Sequence, residues 1–158
     1  MIQQPNNTST STNPVGRFMV AVGAVIEQSS TKKVLLLQRH ATLDWRPGEW
    51  EVEYGRIDQF EDPEAGLHRE IAEETGITDL TVGPILRVWH IYRGPQTAEN
   101  DLIGITYACQ TRTQQVTLSA EHQAYKWVTV EEALQLIFQP KIRQDVELFQ
   151  KLQKTVLP

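Results

Sequence analysis

Residues 55–77 read GRIDQFEDPEAGLHREIAEETGI, a loop followed by a segment with the marks of a helix. Asp62 is a favoured N-cap residue, and Pro63 fits the first helical position because proline has no backbone N–H to satisfy. Gly76 can end the helix in the left-handed conformation, which glycine adopts at little cost. These signals predict a helix over residues 64–75.

Three glutamates crowd one side of this predicted helix. Glu70, Glu73 and Glu74 stand at positions i, i+3 and i+4. These positions are neighbours on a helix surface, and each like-charge i,i+4 pair destabilises a helix by roughly 0.2–0.5 kcal/mol. A hard divalent cation reverses the sign of that interaction because it binds carboxylate oxygens. A solvated outer face is the ordinary explanation of charged helix residues, but the spacing of the whole segment argues against it here.

The spacing resembles the signature of the Nudix hydrolases. That signature runs Gly, five residues, Glu, seven residues, Arg-Glu, an apolar residue, one residue, Glu-Glu, one residue, Gly and an apolar residue. Residues 55–77 match it with no gap and no substitution. Residues 35–39 and 47–50 resemble the strand and tryptophan that lead into this motif in the family, and residues 119–128 resemble a downstream family segment. The similar segments cover most of residues 18–137.

Strand-forming segments surround the motif, because runs rich in Val, Ile, Leu and aromatics are bounded by polar or turn-forming residues. Strands are predicted over residues 18–26, 34–38, 85–92 and 102–109. Turn-forming residues between the last two predict a hairpin. A capping box at Thr129 predicts a short helix to about Ile137, and Pro140 separates it from a last amphipathic helix. The fold class is α+β, and the resemblance implies a Nudix-type α/β/α sandwich with a mixed β-sheet.

Length and composition limit the domain organisation. The chain has 158 residues, of which 40% are apolar, enough for one globular domain of ordinary size, predicted over residues 17–158. Residues 1–16 carry no charged side chain and are rich in Asn, Gln, Ser, Thr and Pro, which predicts a disordered tail. The longest apolar run, residues 18–26, is well below the ~18 residues that indicate a membrane span.

Charge and cysteine content limit the partners. With a formal net charge of −5 and no Lys/Arg cluster, the chain lacks the electrostatic footprint of a protein that grips polymeric nucleic acid. Cys109 is the single cysteine, which excludes an internal disulfide, and four scattered histidines argue against a zinc site. We therefore expect a soluble protein in a reducing cytoplasm with a small-molecule substrate. Whether it is a monomer or a homodimer stays open.

The resemblance implies a metal site built from oxygen ligands. Glu70, Glu73 and Glu74 would bind the metal, together with the backbone carbonyl before the motif glycine, here that of Tyr54. Oxygen-only ligands favour Mg²⁺ or Mn²⁺. Arg69 has two interpretations, since it can orient the glutamates or form an ordinary helix ion pair with Glu73 at i+4. One side chain can do both.

Other motif positions carry structural or catalytic expectations. Gly55 and Gly76 are the fixed glycines of the motif, and Glu61 either stabilises the junction of loop and helix or assists the metals. Downstream, Glu121 matches a loop glutamate that serves many relatives as a metal ligand or as the general base. A surface acid is the alternative for Glu121, and Glu73 is then the next candidate base.

The start of the motif departs from the family pattern. The family often has glycine where Tyr54 stands, commonly preceded by proline where this chain has Glu53, and it often has glutamate where Asp58 stands. These differences leave the shape of the loop and its substrate contacts open.

Substrate contacts are expected from a cation, the motif loop and nearby aromatic side chains. Stacking of a base on an aromatic ring contributes roughly 1–3 kcal/mol. Core packing is the commoner role of a large aromatic residue near a strand. The predicted substrate-binding residues are Arg39, Tyr54, Gly55, Trp89 and Tyr92.

The leading functional hypothesis is metal-dependent hydrolysis of a pyrophosphate bond in a nucleoside diphosphate linked to another moiety, releasing a monophosphate product. A non-catalytic ligand-sensing module of the same fold is an alternative; such modules usually tolerate loss of motif acids, and none is lost here. An isopentenyl-diphosphate-isomerase-like enzyme would need a cysteine near the loop glycine, where this chain has Tyr54. The sequence does not choose among nucleotide-type substrates.

Overall fold

The computed structural model describes residues 18–156, so the predicted disordered tail, residues 1–16, lies outside the described residues. The elements are β1 (Met19–Gln28), β2 (Val34–Arg39), β3 (Trp50–Glu51), β4 (Glu53–Arg56), α1 (Pro63–Thr75), β5 (Thr81–Tyr92), a 3-10 turn (Ala98–Asn100), β6 (Asp101–Thr111), β7 (His122–Val128), α2 (Val130–Leu136) and α3 (Pro140–Val156). Within this part of the chain, no helix combines the length and the apolar character that crossing a membrane requires.

The strands form one mixed sheet. Its order is β3-β2-β1-β6-β5, with β4 paired to β1 and β7 paired to β2. β1 runs parallel to β6, and the other pairs are antiparallel. The four predicted strands and the hairpin of β5 and β6 are confirmed. Sequence reasoning missed β3, β4 and β7, of which the first two are too short to show a clear alternation of polar and apolar residues.

Helices cover both faces of the sheet, as the alternation of side chains along its strands requires. On β2, Leu35 and Leu37 pack in one core with Leu67 and Ile71 of α1. Leu36, between them, packs in a second core built from α2 and α3. The α+β sandwich expected from the sequence is therefore confirmed, with α1 on one face and α2 and α3 on the other.

Local capping fixes where α1 begins and ends. The Asp62 side chain accepts hydrogen bonds from the backbone N–H groups of Glu64 and Ala65, at 2.9 and 3.3 Å. Gly76 ends the helix in the left-handed region with φ 71°. The caps set the ends of α1. Its orientation is set by Leu67 and Ile71, which are buried against the sheet and leave the motif glutamates on another part of the helix surface.

Candidate active site

α1 and β4 contact each other closely at Gly55. A Cβ atom at this residue would overlap the side chain of Glu70, so glycine leaves the space in which this carboxylate lies. Alternate residues of a strand share a face, so Glu53 lies on the same side of β4 as Gly55, and Glu74 follows Glu70 by one helical turn. One carboxylate oxygen from each of Glu53, Glu70 and Glu74 lies within 4.8 Å of the others. We call these three residues the carboxylate cluster.

The cluster is buried and short of positive charge. Glu53 is 2% exposed and Glu74 is 8% exposed. Both carboxylate oxygens of Glu53 and the Oε2 atom of Glu74 have no hydrogen-bond partner among the described residues. Burial, reinforced by Glu74 and Glu70, raises the pKa of Glu53 well above its usual value. Burial, reinforced by Glu121 and Glu70, raises the pKa of Glu74 to about 8.

Arg69 connects the motif acids on the outer side of the cluster. Its Nε and Nη2 atoms donate to the two carboxylate oxygens of Glu61, both at 2.8 Å, and Nη1 donates to Glu70 at 2.9 Å and to Glu73 at 3.2 Å. Arg69 therefore forms the ion pair with Glu73 and also contacts Glu70, so this geometry is compatible with both interpretations, the helix ion pair and the orienting role. The bond to Arg69 is the largest influence that lowers the pKa of Glu61, to about 2.

Glu61 lies at the junction of the motif loop and α1. Besides pairing with Arg69, it accepts a hydrogen bond from the backbone N–H of Asp58 at 2.8 Å. Gly66 leaves room for it, since a Cβ atom there would lie 2.9 Å from Glu61 Oε2. This geometry supports the role of stabilising the junction, and Glu61 is not a member of the carboxylate cluster.

Glu73 is separated from the other two motif glutamates. Its side chain is 60% exposed, it pairs with Arg69, and it is not part of the carboxylate cluster. The expectation that all three glutamates crowd one patch therefore holds for Glu70 and Glu74 only. A role for Glu73 in binding metal or as a base stays a prediction.

Glu121 lies in an exposed turn directly before β7. It lines the same cleft as Glu70 and Glu74, and its charge is close enough to raise the pKa of Glu74. The backbone of this turn is held by a hydrogen bond from His40 N–H to the Glu121 carbonyl at 2.8 Å. The structure thus brings Glu121 to the site, and its catalytic role stays a prediction.

A second layer of charged residues lies behind the cluster. His122 is buried between two acids, with Nδ1 3.5 Å from Glu74 Oε2 and Nε2 3.6 Å from Glu51 Oε1. Glu51 accepts a hydrogen bond from Arg39 at 3.0 Å, and Arg39 also donates to the Trp45 carbonyl at 2.7 Å. Arg39, predicted to contact substrate, is therefore held by these two bonds at the wall of the cleft.

Sequence reasoning missed Glu51, Glu53 and His122. The alternation of Glu51, Glu53 and Gly55 was a usable signal, because acids two residues apart share a face of an extended strand. It was not used because β3 and β4 were not predicted. No local signal placed His122 beside Glu74, since their contact joins β7 to α1.

The predicted aromatic substrate residues line the same cleft, which has a volume of about 1370 Å³. The Tyr54 side chain packs against the second core, its hydroxyl donates to buried Asp145, and its ring lies 5.8 Å from that of Trp89, edge to face. Trp89 Nε1 donates to Thr106 at 2.9 Å. Tyr92 stacks edge to face on His90 at 5.0 Å. These rings combine packing roles with a position at the cleft.

Comparisons with known proteins agree with this architecture. The sequence profile of the NUDIX domain matches residues 17–149. A CTP pyrophosphohydrolase of Escherichia coli K12 is 34% identical over 125 residues, which cover 78% of this chain and 85% of that protein. A nucleoside triphosphatase of Escherichia coli O17:K52:H18 is 31% identical over 93 residues, covering 54% of this chain and 65% of that protein. The crystal structure of a MutT protein from Methanosarcina mazei Go1 superposes with a TM-score of 0.72 at 28% identity, covering 89% of this chain and 99% of that one.

Proposed function

Because the chain belongs to the Nudix hydrolase family, we propose that it hydrolyses a pyrophosphate bond in a nucleoside diphosphate linked to another moiety, with Mg²⁺ or Mn²⁺ as cofactor. The products would be a nucleoside monophosphate and the phosphate ester of the other moiety. The observation that carries this proposal is the carboxylate cluster, of which Glu70 and Glu74 line a large cleft and Glu53 is buried beside them. Its donors are all carboxylate oxygens, which suit hard divalent cations.

The residues fit such a cation. Glu70 and Glu74 lie one helical turn apart on α1, and the Oε2 atom of Glu74, which has no hydrogen-bond partner among the described residues, is available as a ligand. Arg69 holds Glu70 at 2.9 Å and thereby orients its carboxylate. When bound, a divalent cation supplies positive charge that neutralises phosphate oxygens and makes water more acidic. The Tyr54 carbonyl, on the strand beside α1, is proposed as a further ligand.

Glu121 is proposed as the general base. It is exposed on a turn at the cleft, where it can reach a water molecule, whereas Glu53 and Glu74 are buried and Glu70 is partly buried. In the reaction, the water oxygen would attack one phosphorus atom, its proton would pass to Glu121, and the bridging P–O bond would break. The bond electrons would remain with the departing phosphate. Glu73, exposed on α1, is the second candidate for this role.

The cleft supports a nucleotide-type substrate. Trp89 and Tyr92 present aromatic rings to it, and Arg39 adds a guanidinium group at its wall. Stacking on such rings tolerates every base. A cytidine nucleotide, as in the name of the similar CTP pyrophosphohydrolase, is therefore one of several nucleotides that these rings could hold.

The chemistry of Cys109 argues against an isomerase that uses a cysteine near the motif glycine. Cys109 is the single cysteine of the chain and lies buried on β6 in the first core. Burial raises the pKa of its thiol to about 12, so it stays protonated and unreactive.

The test is a substrate screen with the purified full chain. Nucleotide sugars, nucleoside triphosphates, dinucleoside polyphosphates and ADP-ribose would each be incubated with Mg²⁺, and product would be identified by chromatography. We expect monophosphate release from at least one class, abolished by chelator. If no class is hydrolysed under conditions where the chain binds the same compounds, the chain is a ligand-sensing module.

A further inference from the structure

We propose that Glu53 is a direct ligand of the divalent cation, so that Glu53, Glu70 and Glu74 form a three-carboxylate site that binds one cation before substrate arrives. The motif that identifies the family begins at Gly55 and assigns nothing to Glu53. The inference rests on the proposed function only in taking a divalent cation as the ligand.

The burial of Glu53 is the first observation. Its side chain is 2% exposed, and neither carboxylate oxygen has a hydrogen-bond partner among residues 18–156. A carboxylate removed from water without donors is strongly unfavourable, so native proteins pair such a group or place it on a metal ion. Glu53 also points into the cluster, since one of its oxygens lies within 4.8 Å of oxygens of Glu70 and Glu74.

The nearest protein cations are engaged with other carboxylates. Arg69 donates to Glu61, Glu70 and Glu73, and it lowers the pKa of Glu53 less than burial and the neighbouring glutamates raise it. Arg39 donates to Glu51. Among the described side chains, Arg69 donates to Glu70, and His122 lies 3.5 Å from Glu74, but no basic side chain donates a hydrogen bond to Glu53.

The position of Glu53 is set by a strand. In the β1–β4 ladder, Ala24 pairs with Glu53 and Val22 pairs with Gly55, so this part of the backbone is fixed by the sheet. Burial of Leu67 and Ile71 in the first core holds α1, and with it Glu70 and Glu74, against the sheet. Three carboxylates held by regular elements form the site before any ligand binds, whereas Glu121 lies on an exposed turn. Because oxygen sites gain affinity with each charged ligand, the cluster should hold a cation without help from substrate phosphates.

The experiment measures cation binding by the substrate-free full chain. Free Mn²⁺ would be followed by electron paramagnetic resonance, and Mg²⁺ binding by calorimetry. Glu53→Gln removes the charge at nearly constant shape. Glu27→Gln is the matched control, since Glu27 is also buried, at 3% exposed, but bonds to Lys32 and Gln110 on the other end of β1. Glu74→Gln serves as the positive control.

We expect Glu53→Gln to weaken Mn²⁺ affinity about tenfold or more, as Glu74→Gln does, and Glu27→Gln to leave it within about twofold of the wild type. An Mn²⁺ affinity of Glu53→Gln equal to that of Glu27→Gln would overturn the proposal and indicate a Glu53 that stays protonated beside the metal. If circular dichroism shows that Glu53→Gln does not fold, the Mn²⁺ affinity of Glu53→Asp is measured instead. This variant keeps the charge and shortens the side chain by one methylene, so weaker binding supports the proposal and unchanged binding overturns it.

The outcomes separate this inference from the proposed function. Binding of Mn²⁺ that depends on Glu53, in a chain that hydrolyses no substrate, would support the inference and refute the function. If the chain hydrolyses a substrate with Mg²⁺ but Glu53→Gln binds the metal as tightly as the wild type, the inference is refuted and the function is supported.

Discussion

The carboxylate of Glu70 occupies the space that a side chain at Gly55 would fill. Gly55 belongs to β4 and Glu70 to α1, so this one contact sets how closely the strand and the helix approach. The approach brings Glu53 and Glu74 together with Glu70, and the carboxylate cluster depends on it.

A methyl group at residue 55 should therefore displace Glu70. For Gly55→Ala we expect Mn²⁺ affinity to fall, while the free energy of unfolding falls by about 1 kcal/mol, the low end for overpacking, because the displaced atoms belong to the flexible Glu70 side chain. Gly48→Ala is the control, because Gly48 has a positive φ of 75° but no neighbour within 4 Å of a Cβ atom. That variant should lose stability with unchanged Mn²⁺ affinity. Equal Mn²⁺ affinities in the two variants would show that Gly55 does not position Glu70.

The pair of Glu61 and Arg69 should make stability depend on acid pH. The pKa of Glu61 is lowered from 4.5 to about 2, chiefly by its bond to Arg69. A depressed carboxylate pKa means that the native state favours the ionised form, so the stabilisation is present above about pH 4.5 and is lost as the pH falls toward 2. The free energy of unfolding in urea would be measured for the wild type and Glu61→Gln at pH 7, 4 and 3. We expect the wild type to be more stable at pH 7 and this stability difference to become smaller as the pH falls. A difference independent of pH would refute this account of Glu61.

Divalent cations should stabilise the folded chain. A ligand that binds only the native state raises the free energy of unfolding by about 2.7 kcal/mol when its concentration is one hundred times its Kd. For a domain of this length that corresponds to a rise in melting temperature of about 5–10 °C. Thermal melts with Mg²⁺, Mn²⁺ and chelator should show the rise with either metal and its reversal by chelator. Identical melts with saturating metal and with chelator would count against a metal site, and activity that requires Zn²⁺ instead would count against the oxygen-ligand assignment.

Glu121→Gln should lower kcat strongly while substrate affinity changes little, because a general base acts mainly in the transition state. Glu131→Gln is a matched control, since Glu131 is an exposed acid on α2 that bonds to Gln150. Steady-state kinetics and substrate binding would be measured for both variants. An unchanged kcat in Glu121→Gln would transfer the base role to Glu73.

The elements that the sequence predicted well are those whose signals are local. α1 begins within one residue of its predicted start because Asp62 and Pro63 act on adjacent backbone groups, and Gly76 ends it as expected. Glu70 and Glu74 are brought together by helix periodicity alone. Glu53 could not be placed in the same way, because it meets them only when β4 packs on α1. Glu73 was expected beside them, but its contact with Arg69 draws it outward.

The central claim is that the carboxylate cluster holds the catalytic cation, and turnover by Glu74→Gln tests it most directly. Initial rates of monophosphate release would be compared for wild type and variant with the best substrate at saturating Mg²⁺. The variant loses a charged ligand whose Oε2 atom has no hydrogen-bond partner among the described residues, so it should fold as stably as the wild type without metal. We predict a fall in kcat by several powers of ten in a folded protein. A folded Glu74→Gln variant with near-wild-type kcat would contradict the account.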